Sequence, residues 1–468
     1  MGNPKKGKKT SGSAKKKRKG AAAVAAANAP MAVDNEQAAP STPAVWRPGV
    51  DQVGDDEELQ YDPTAYDCMH VMSLDWPCLS FDIVRDSLGG PRSTFPHTVT
   101  LAAGTQAATP KQNSLALMKL SNLVQGKHGS KAAKDDSDDD ISDDDSEDEE
   151  EGAPVMHLRQ ISQSCGINRV RAMPQQSTII ATWGDDARVQ VWDAGAQIQD
   201  MSAAHDAKAQ RGKRLPQRPM HMHAHSTEGY ALDWSSMAEG RLAAGDCRHG
   251  IHVWDPNGSG SWTVSGAYAG HEDSVEDIQW SPMEGNVFAS CSVDRTIRIW
   301  DSRVRTAPQL TVTAHATDVN VISWNSLASH TLASGGDDGV LRVWDLRTFT
   351  ADRAANEASF VANFTYHRGP VTSVEWCPFE SSVLTTTSGD GQLVVWDLAL
   401  ERDPEEEAAL VASMNAASPD DLPAQLLFVH LGQSDIKEAH WHPQIPGMII
   451  STALSGFNIF KPANVGSA

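Results

Sequence analysis

The chain of 468 residues lacks the marks of a membrane protein, a disulfide scaffold or a familiar hydrolase. No apolar run approaches the roughly 18 residues that a spanning helix needs. Its six cysteines are scattered without a Cys-x-x-Cys pair, which favours reduced thiols packed as small apolar groups. The motifs Gly-x-Ser-x-Gly and His-Glu-x-x-His are absent, and no paired carboxylates stand out from turn aspartates. We therefore expect no catalytic residues, no cofactor and no membrane attachment.

Three short motif matches have simpler explanations. His221, His223 and His225 alternate as metal ligands can, but a repeat described below already requires His225, so we expect no metal site. Residues 2–8 nearly spell a phosphate loop, yet Lys9 occupies the required Ser or Thr position. The Ala-rich stretch at 21–27 is too short for a secretory signal.

What the sequence does contain is a spacing of histidine and tryptophan that recurs four times. In each set one tryptophan follows the histidine by 9 residues and a second follows it by 29. Eight of the chain's 14 tryptophans sit at these two offsets, which indicates a repeated structural unit. An aspartate follows each second tryptophan, and their spacings of 46, 44 and 52 residues suit WD-type propeller blades. The sets are His225, Trp234, Trp254; His271, Trp280, Trp300; His315, Trp324, Trp344; and His367, Trp376, Trp396.

The residue types within a repeat predict a buried hydrogen-bond network. An aspartate stands 23 residues after the histidine in three repeats, in the turn before a strand. This aspartate and a strand serine, Ser290 or Ser292 in one repeat, can satisfy both imidazole nitrogens, and the indole N–H finds an acceptor there. The His225 repeat has Arg248 instead, so we expect its network to be incomplete. The predicted structural sets are His271, Asp294, Trp300; His315, Asp338, Trp344; and His367, Asp390, Trp396.

Divergent repeats flank these four, and together they predict an all-β fold, a seven-bladed WD-repeat β-propeller. Residues 170–193 and 438–460 are interpreted as further blades, and strands at 79–84, 97–103 and 114–120 supply the seventh. A short helix is predicted over residues 62–73, with Asp62 as its cap and Pro63 at its first position. The predicted layout is a disordered basic tail at 1–45, an extension with the helix at 46–75, the propeller at 76–463, a disordered acidic insertion at 127–153 within an early blade, and an acidic, proline-containing loop at 399–426.

Charge is segregated into blocks in this chain of net charge −22. Residues 5–19 hold nine Lys or Arg and no acid, and we interpret the run Lys15, Lys16, Lys17, Arg18 and Lys19 as a nuclear targeting signal rather than a non-specific nucleic-acid arm. Residues 135–151 hold 13 acids and no base, a block that repels itself and cannot form a strand.

The acidic block suits either a solubilising surface or the capture of a basic partner, and we favour capture because dispersed charges would suffice for solubility. The candidate residues are Asp135, Asp136, Asp138, Asp139, Asp140, Asp143, Asp144, Asp145, Glu147, Asp148, Glu149, Glu150 and Glu151. Ser137, Ser142 and Ser146 each precede three acids, the context an acidophilic kinase prefers, although they could merely space the acids. Each phosphate would add about −1.5 to −2 charges and tighten binding of a basic partner.

The predicted helix and the 399–426 loop form a second candidate site, because ring closure would bring them together. Its residues are Tyr66, Met69, Met72, Glu405, Glu406, Glu407, Asp420 and Asp421.

Residues 76–84 (WPCLSFDIV) and the acidic loop leading into residues 426–430 (LLFVH) resemble the histone-binding subfamily of WD-repeat proteins. A closer likeness, over about residues 60–461, is to the glutamate-rich WD-repeat family of eukaryotes, although the insertion here is richer in Asp than in Glu. The segments that carry it are 81–86, 103–106, 166–171, 231–235, 274–277, 318–324, 401–404 and 451–457.

This resemblance implies a side groove that grips a basic helix, and a chaperone that escorts a basic ribosomal protein, the third of the large subunit, to the nucleus and nucleolus. It also implies binding of histones and contact with pre-ribosomal particles, without direct sequence-specific recognition of nucleic acid. Histone chaperoning in chromatin assembly is the nearest alternative function. Trp-Asp-x-Arg at Arg303 and Arg347 resembles substrate receptors of cullin ubiquitin ligases, which would bind a ligase adaptor, but such an arginine also ends many ordinary blades.

Overall fold

The computed structural model describes residues 62–126, 153–203, 214–350, 360–401 and 422–466. Within them the chain forms seven sheets that are the blades of a β-propeller, which confirms the predicted fold. The pairing is antiparallel except between the strand Val155–Ser162 and the short strand Arg214–Leu215. The strands are β1 (Tyr66–Met72), β2 (Cys78–Ile83), β3 (His97–Thr105), β4 (Ser114–Leu123), β5 (Val155–Ser162), β6 (Ile167–Ala172), β7 (Ile179–Gly184), β8 (Arg188–Asp193), β9 (Arg214–Leu215), β10 (His221–Ala224), β11 (Ala231–Trp234), β12 (Leu242–Gly245), β13 (Ile251–Pro256), β14 (Trp262–Val264), β15 (Val275–Trp280), β16 (Val287–Ser292), β17 (Thr296–Asp301), β18 (Leu310–Thr313), β19 (Val319–Trp324), β20 (Thr331–Gly336), β21 (Leu341–Asp345), β22 (Phe360–Phe364), β23 (Val371–Trp376), β24 (Val383–Ser388), β25 (Leu393–Asp397), β26 (Leu426–His430), β27 (Ile436–Trp441), β28 (Ile449–Ala453) and β29 (Gly456–Pro462).

Helix contributes little to the described part of the chain. One α-helix, α1 (Gly195–Ala203), follows β8, and short 3-10 turns lie at Pro63–Ala65, Pro110–Gln112 and Leu346–Thr348. No helix in these ranges has both the length and the apolarity to cross a bilayer. The six cysteines are free thiols, as the sequence predicted, and five of them are buried.

Each blade alternates strand direction, so its connections define two faces of the ring. Every inner strand runs from one face, which we call the entry face, to the other, which we call the exit face. The connection into an inner strand and the turn between the second and third strands lie on the entry face. The turn after an inner strand and the connection to the outer strand lie on the exit face.

The ring is closed by β1, which pairs antiparallel with β29 as the outer strand of the last blade. The predicted helix over residues 62–73 is therefore wrong beyond its first turn. Asp62 does cap it, accepting from the Thr64 N–H at 2.8 Å, but the chain turns extended at Tyr66. Pairing with the exposed edge of β29 outweighs the weak helical spacing of the apolar residues. The propeller consequently begins at Tyr66 rather than at residue 76.

Carboxylates of the inner strands join neighbouring blades around the central channel. Each accepts a hydrogen bond from a backbone N–H of the next inner strand, so a polar side chain satisfies a backbone donor that no sheet partner reaches. The bonds are Asp82 to Ala172 N at 2.7 Å, Asp233 to Trp280 N at 2.8 Å, Asp277 to Ile322 N at 3.2 Å, Glu375 to Trp441 N at 3.1 Å and Glu438 to Phe81 N at 2.9 Å.

Three blades hold a buried network of histidine, aspartate, hydroxyl and indole. In one, His271 Nδ1 lies 2.8 Å from Asp294 and Nε2 lies 2.6 Å from the Ser290 hydroxyl. The Trp300 indole donates to the same hydroxyl at 2.8 Å. The corresponding hydroxyls of the next two blades belong to Ser334 and Thr386.

The His225 blade differs in a way the sequence predicted only in part. Asp246, not Arg248, meets His225 Nδ1 at 3.3 Å, so the aspartate is displaced by two residues rather than missing. The position of the hydroxyl is occupied by Ala244. As a result, two buried donor or acceptor atoms, His225 Nε2 and Trp254 Nε1, have no hydrogen-bond partner in the described structure.

Replacing Ala244 with serine should raise the free energy of unfolding by about 1 kcal/mol, since one hydroxyl would satisfy both orphaned atoms. Equilibrium denaturation measures the change. Ala243→Ser is the matched control: Ala243 is the preceding strand residue, fully buried in an apolar cluster with Ile278 and Phe288, and a hydroxyl there should destabilise the fold by about 1–3 kcal/mol. Equal effects of the two serines would contradict the account of the orphaned atoms.

Candidate binding faces of the propeller

A band of acidic side chains crosses the entry face over four consecutive blades. We call it the acidic arc and define it as Asp185, Glu228, Asp273, Glu276, Asp318 and Asp337. Glu228 is joined to the inner strand β6 by the Asn168 amide at 3.1 Å, and Asp337 accepts from the Asn320 amide at 2.8 Å. Asp185, Asp273 and Asp337 are exposed, so the band faces solvent.

Burial and like-charged neighbours both disfavour the ionised form of carboxyl groups in this arc. Burial raises the pKa of Asp318, and the carboxylates of Asp337 and Asp273 raise it further. Burial likewise raises the pKa of Glu276, to which Asp318 adds. Titratable groups whose pKa is shifted by burial together with neighbouring charges cluster at functional sites. The arc is therefore suited to a cationic ligand that relieves the repulsion.

Sequence reasoning missed the acidic arc, although a signal for it exists. Glu228, Asp273 and Asp318 stand two or three residues after the repeat histidines of three successive blades. The spacing is visible in the chain, but only ring geometry shows that these connections meet on one face.

The channel between the faces contains a buried ion network centred on Glu438. This carboxylate is 1% exposed and meets Arg169 at 2.9 Å and Arg171 at 2.8 Å. Burial opposes its charge, but Arg171, His440 and Arg169 hold the pKa of Glu438 well below its usual range. Burial also disfavours the His440 cation, yet Glu375 and Glu438 raise the pKa of His440 to about 10. These groups are already paired with one another, so the network holds blades together.

Two predicted acidic segments lie outside the described residues. They comprise the 13 acids of residues 135–151 with Ser137, Ser142 and Ser146, and the loop residues Glu405, Glu406, Glu407, Asp420 and Asp421. The basic run from Lys15 to Lys19 lies outside them as well. The ends of both acidic segments are described: the chain leaves β4 and β25 and returns at β5 and β26, so both interruptions open on the exit face.

The predicted groove residues of the N-terminal segment serve ring closure instead of presenting one helical face. Tyr66 bonds His430 at 2.8 Å and packs edge-on to Phe428, in the strand that follows the 399–426 loop. Tyr66 and Met69 pack against the core of the last two blades, whereas Met72 packs against the core between the last and the first blade. In a strand, Met69 and Met72 point to opposite faces, whereas in a helix they would have shared one face.

The structure also locates two further sets of residues discussed in the sequence analysis. His221 and His223 lie on β10, and within the described ranges no group of three or more potential ligands could hold a metal ion. Arg303 and Arg347 lie at the exit face, with side chains 70% and 67% exposed and paired with the aspartates that follow the tryptophans of their blades.

The fold defines the chain as a WD-repeat β-propeller. Residues 262–301, 306–345 and 358–397 match the family model "WD domain, G-beta repeat". Residues 56–124 match the family model of the histone-binding protein RBBP4 and its counterpart in the CAF1 complex. The chain belongs to the family of glutamate-rich WD-repeat-containing proteins, since a member of that family is 47% identical to it over 90% of this chain.

Relatives from several eukaryotes are similar to this chain over most of their length. "Protein HEAT STRESS TOLERANT DWD 1" of Arabidopsis thaliana is 51% identical over 91% of this chain and 93% of its own. "Glutamate-rich WD repeat-containing protein 1" of Dictyostelium discoideum is 47% identical over 90% and 85%. "Ribosome assembly protein rrb1" of Schizosaccharomyces pombe is 42% identical over 89% and 84%.

Proposed function

We propose that this protein is a non-catalytic chaperone of large ribosomal subunit assembly, which binds a basic ribosomal protein and escorts it to the nucleolus. The acidic arc is the observation that carries the proposal. The third protein of the large subunit is the client that the family resemblance implies, and the name of the fission yeast relative supports a role in ribosome assembly. The run from Lys15 to Lys19 would supply nuclear import.

The proposed mechanism is electrostatic shielding followed by competition. Ribosomal proteins carry basic extensions that bind any polyanion until their RNA site is available. The arc and the 135–151 segment would neutralise such an extension reversibly, and phosphate on Ser137, Ser142 or Ser146 would strengthen this. Ribosomal RNA would then displace the chaperone, because dense backbone phosphates release more counterions on binding. No nucleotide hydrolysis is required for this transfer.

Neutralising Glu276→Gln and Asp318→Asn together should weaken binding of a basic ribosomal protein about tenfold and reduce its salt dependence. Deleting residues 135–151 should reduce both further. Isothermal titration across a salt series measures affinity and slope.

The matched control is Asp75→Asn with Asp435→Asn, two acids in entry-face connections outside the arc. Asparagine tolerates the positive φ of 55° at Asp435. Unchanged affinity and slope in both the arc variant and the deletion would refute the proposal.

Two other functions draw on specific observations. The match of residues 56–124 to the histone-binding model supports histones as alternative clients, which the same arc would suit. The exposed Arg303 and Arg347 support docking of a cullin ligase adaptor. Purification from nuclease-treated nuclear extract separates these functions, by recovery of ribosomal protein, histones or an adaptor lost on Arg303→Ala with Arg347→Ala.

A further inference from the structure

We propose that the exit face is a second docking surface, which binds a basic amphipathic helix of the client. The inference rests on the proposed function, since it takes the client to be basic. It assigns a different face and a different chemistry from those of the acidic arc.

The first observation is a ring of exposed apolar side chains, which we call the apolar rim. It consists of Leu88, Met237, Met283, Leu327 and Phe379, exposed by 64%, 54%, 63%, 52% and 37%. Each lies in the turn after the inner strand of its blade, so all five point from one face. Single exposed apolar residues are common on any protein, but repetition at one position of five blades forms a surface.

Hydrogen bonds between neighbouring turns support most of this rim. A side chain of one turn bonds the backbone of the adjacent turn at five of the blade junctions. The bonds are Gln444 to Asp86 O at 3.0 Å, Ser177 to Arg85 O at 2.9 Å, Gln175 to Ser235 O at 2.8 Å, Arg241 to Gly285 O at 2.7 Å and Asn325 to Ser381 O at 2.8 Å. The apolar side chains therefore project from a preformed support.

The acidic residues beside the apolar rim indicate that its ligand is basic. Exposed Glu239, Glu284 and Glu380 follow Met237, Met283 and Phe379 by one or two residues, so three of the five rim turns pair an acid with the apolar side chain. The turn of Leu88 carries exposed Arg85 instead. A helix with an apolar stripe flanked by Lys or Arg complements both the apolar and the acidic side chains, and methionine adapts to varied apolar partners. An extended basic segment lacks the stripe and suits the arc instead.

Arg303 and Arg347 lie on the same face but do not reverse its charge. Asp301 and Asp345 pair with them, at 2.5 Å and 2.7 Å.

The test uses the full chain and a labelled synthetic Leu/Lys amphipathic helix of about 18 residues, roughly five turns. A peptide of the same composition in scrambled order, which cannot form one apolar stripe, is the control ligand. The rim variant Met237→Gln, Met283→Gln, Leu327→Gln alters exposed side chains only, and its melting temperature verifies folding. We expect it to bind the helix at least about tenfold more weakly than the native chain by fluorescence anisotropy. Its affinity for the scrambled peptide should be unchanged.

Methyl NMR of the methionines provides the second measurement. The helix should shift the signals of Met237 and Met283 and leave that of buried Met118 in place. Equal affinity for helix and scrambled peptide, or unshifted signals at Met237 and Met283, would overturn this inference. This inference can fail while the proposed function stands, if the arc variant still binds the basic ribosomal protein more weakly than the native chain. Binding of the helix at the rim is measured without the arc variant, so the two tests are independent.

Discussion

Replacing Glu438 with alanine lowers the free energy of unfolding by about 3–5 kcal/mol, the range for removing one partner of a buried ion pair. The variant would leave Arg169 and Arg171 in the channel without their shared carboxylate. The Ser80 hydroxyl and the Phe81 N–H would also lose their acceptor. They donate to Glu438 at 2.7 Å and 2.9 Å and join the last blade to the first. Urea denaturation followed by tryptophan fluorescence measures the loss.

Glu276→Gln is the matched control, because Glu276 is also a carboxylate on an inner strand. The net shifts are opposite: burial raises the pKa of Glu276 despite Ser274 and Arg169, with Asp318 adding to the rise, whereas cations hold the pKa of Glu438 well below its usual range. Neutralising Glu276 should therefore leave the unfolding free energy unchanged or raise it. Equal losses for the two variants, or a loss below about 1 kcal/mol for Glu438→Ala, would contradict this role of the network.

Raising the pH from about 7 to about 9 lowers the unfolding free energy through His440, by up to about 1.4 kcal/mol per pH unit. Burial alone would discharge this ring, but Glu375 and Glu438 raise the pKa of His440 from 6.5 to about 10. Between these values the folded chain keeps a proton that the unfolded chain has released. The stability from His440 is therefore complete below pH 6.5 and is lost as the pH rises through 10.

His440→Gln should be less stable at neutral pH and should lose most of this alkaline slope. Buried thiols and phenols also destabilise the fold in alkali, as burial raises the pKa of Cys78 and of Tyr268 to about 12. Their ordinary values of 9.0 and 10.0 place that effect mainly above the chosen range. Parallel pH profiles of the native chain and the variant would show that another group is responsible.

Individual residues show how much of the blade structure could be predicted from the sequence. The spacing of His271, Trp280 and Trp300 predicted a blade because the same side chains fold the same way in each repeat. Arg248 predicted a histidine network without its aspartate. In the structure the aspartate is present as Asp246, and the missing group is a hydroxyl, because Ala244 occupies its position. A two-residue shift of the aspartate cannot be read from spacing alone, since it depends on the conformation of the turn.

The sequence by itself determined the repeat, and with it the propeller, because strand alternation and the buried histidine sets are local patterns that each blade repeats. Only the tertiary structure decided that Tyr66–Met72 is a strand, because its partner edge on β29 lies almost 400 residues away in the chain. Ring closure also decided which charges meet. It gathers acids from four blades on one face and apolar turns from five on the other, and neither grouping exists until the ring is formed.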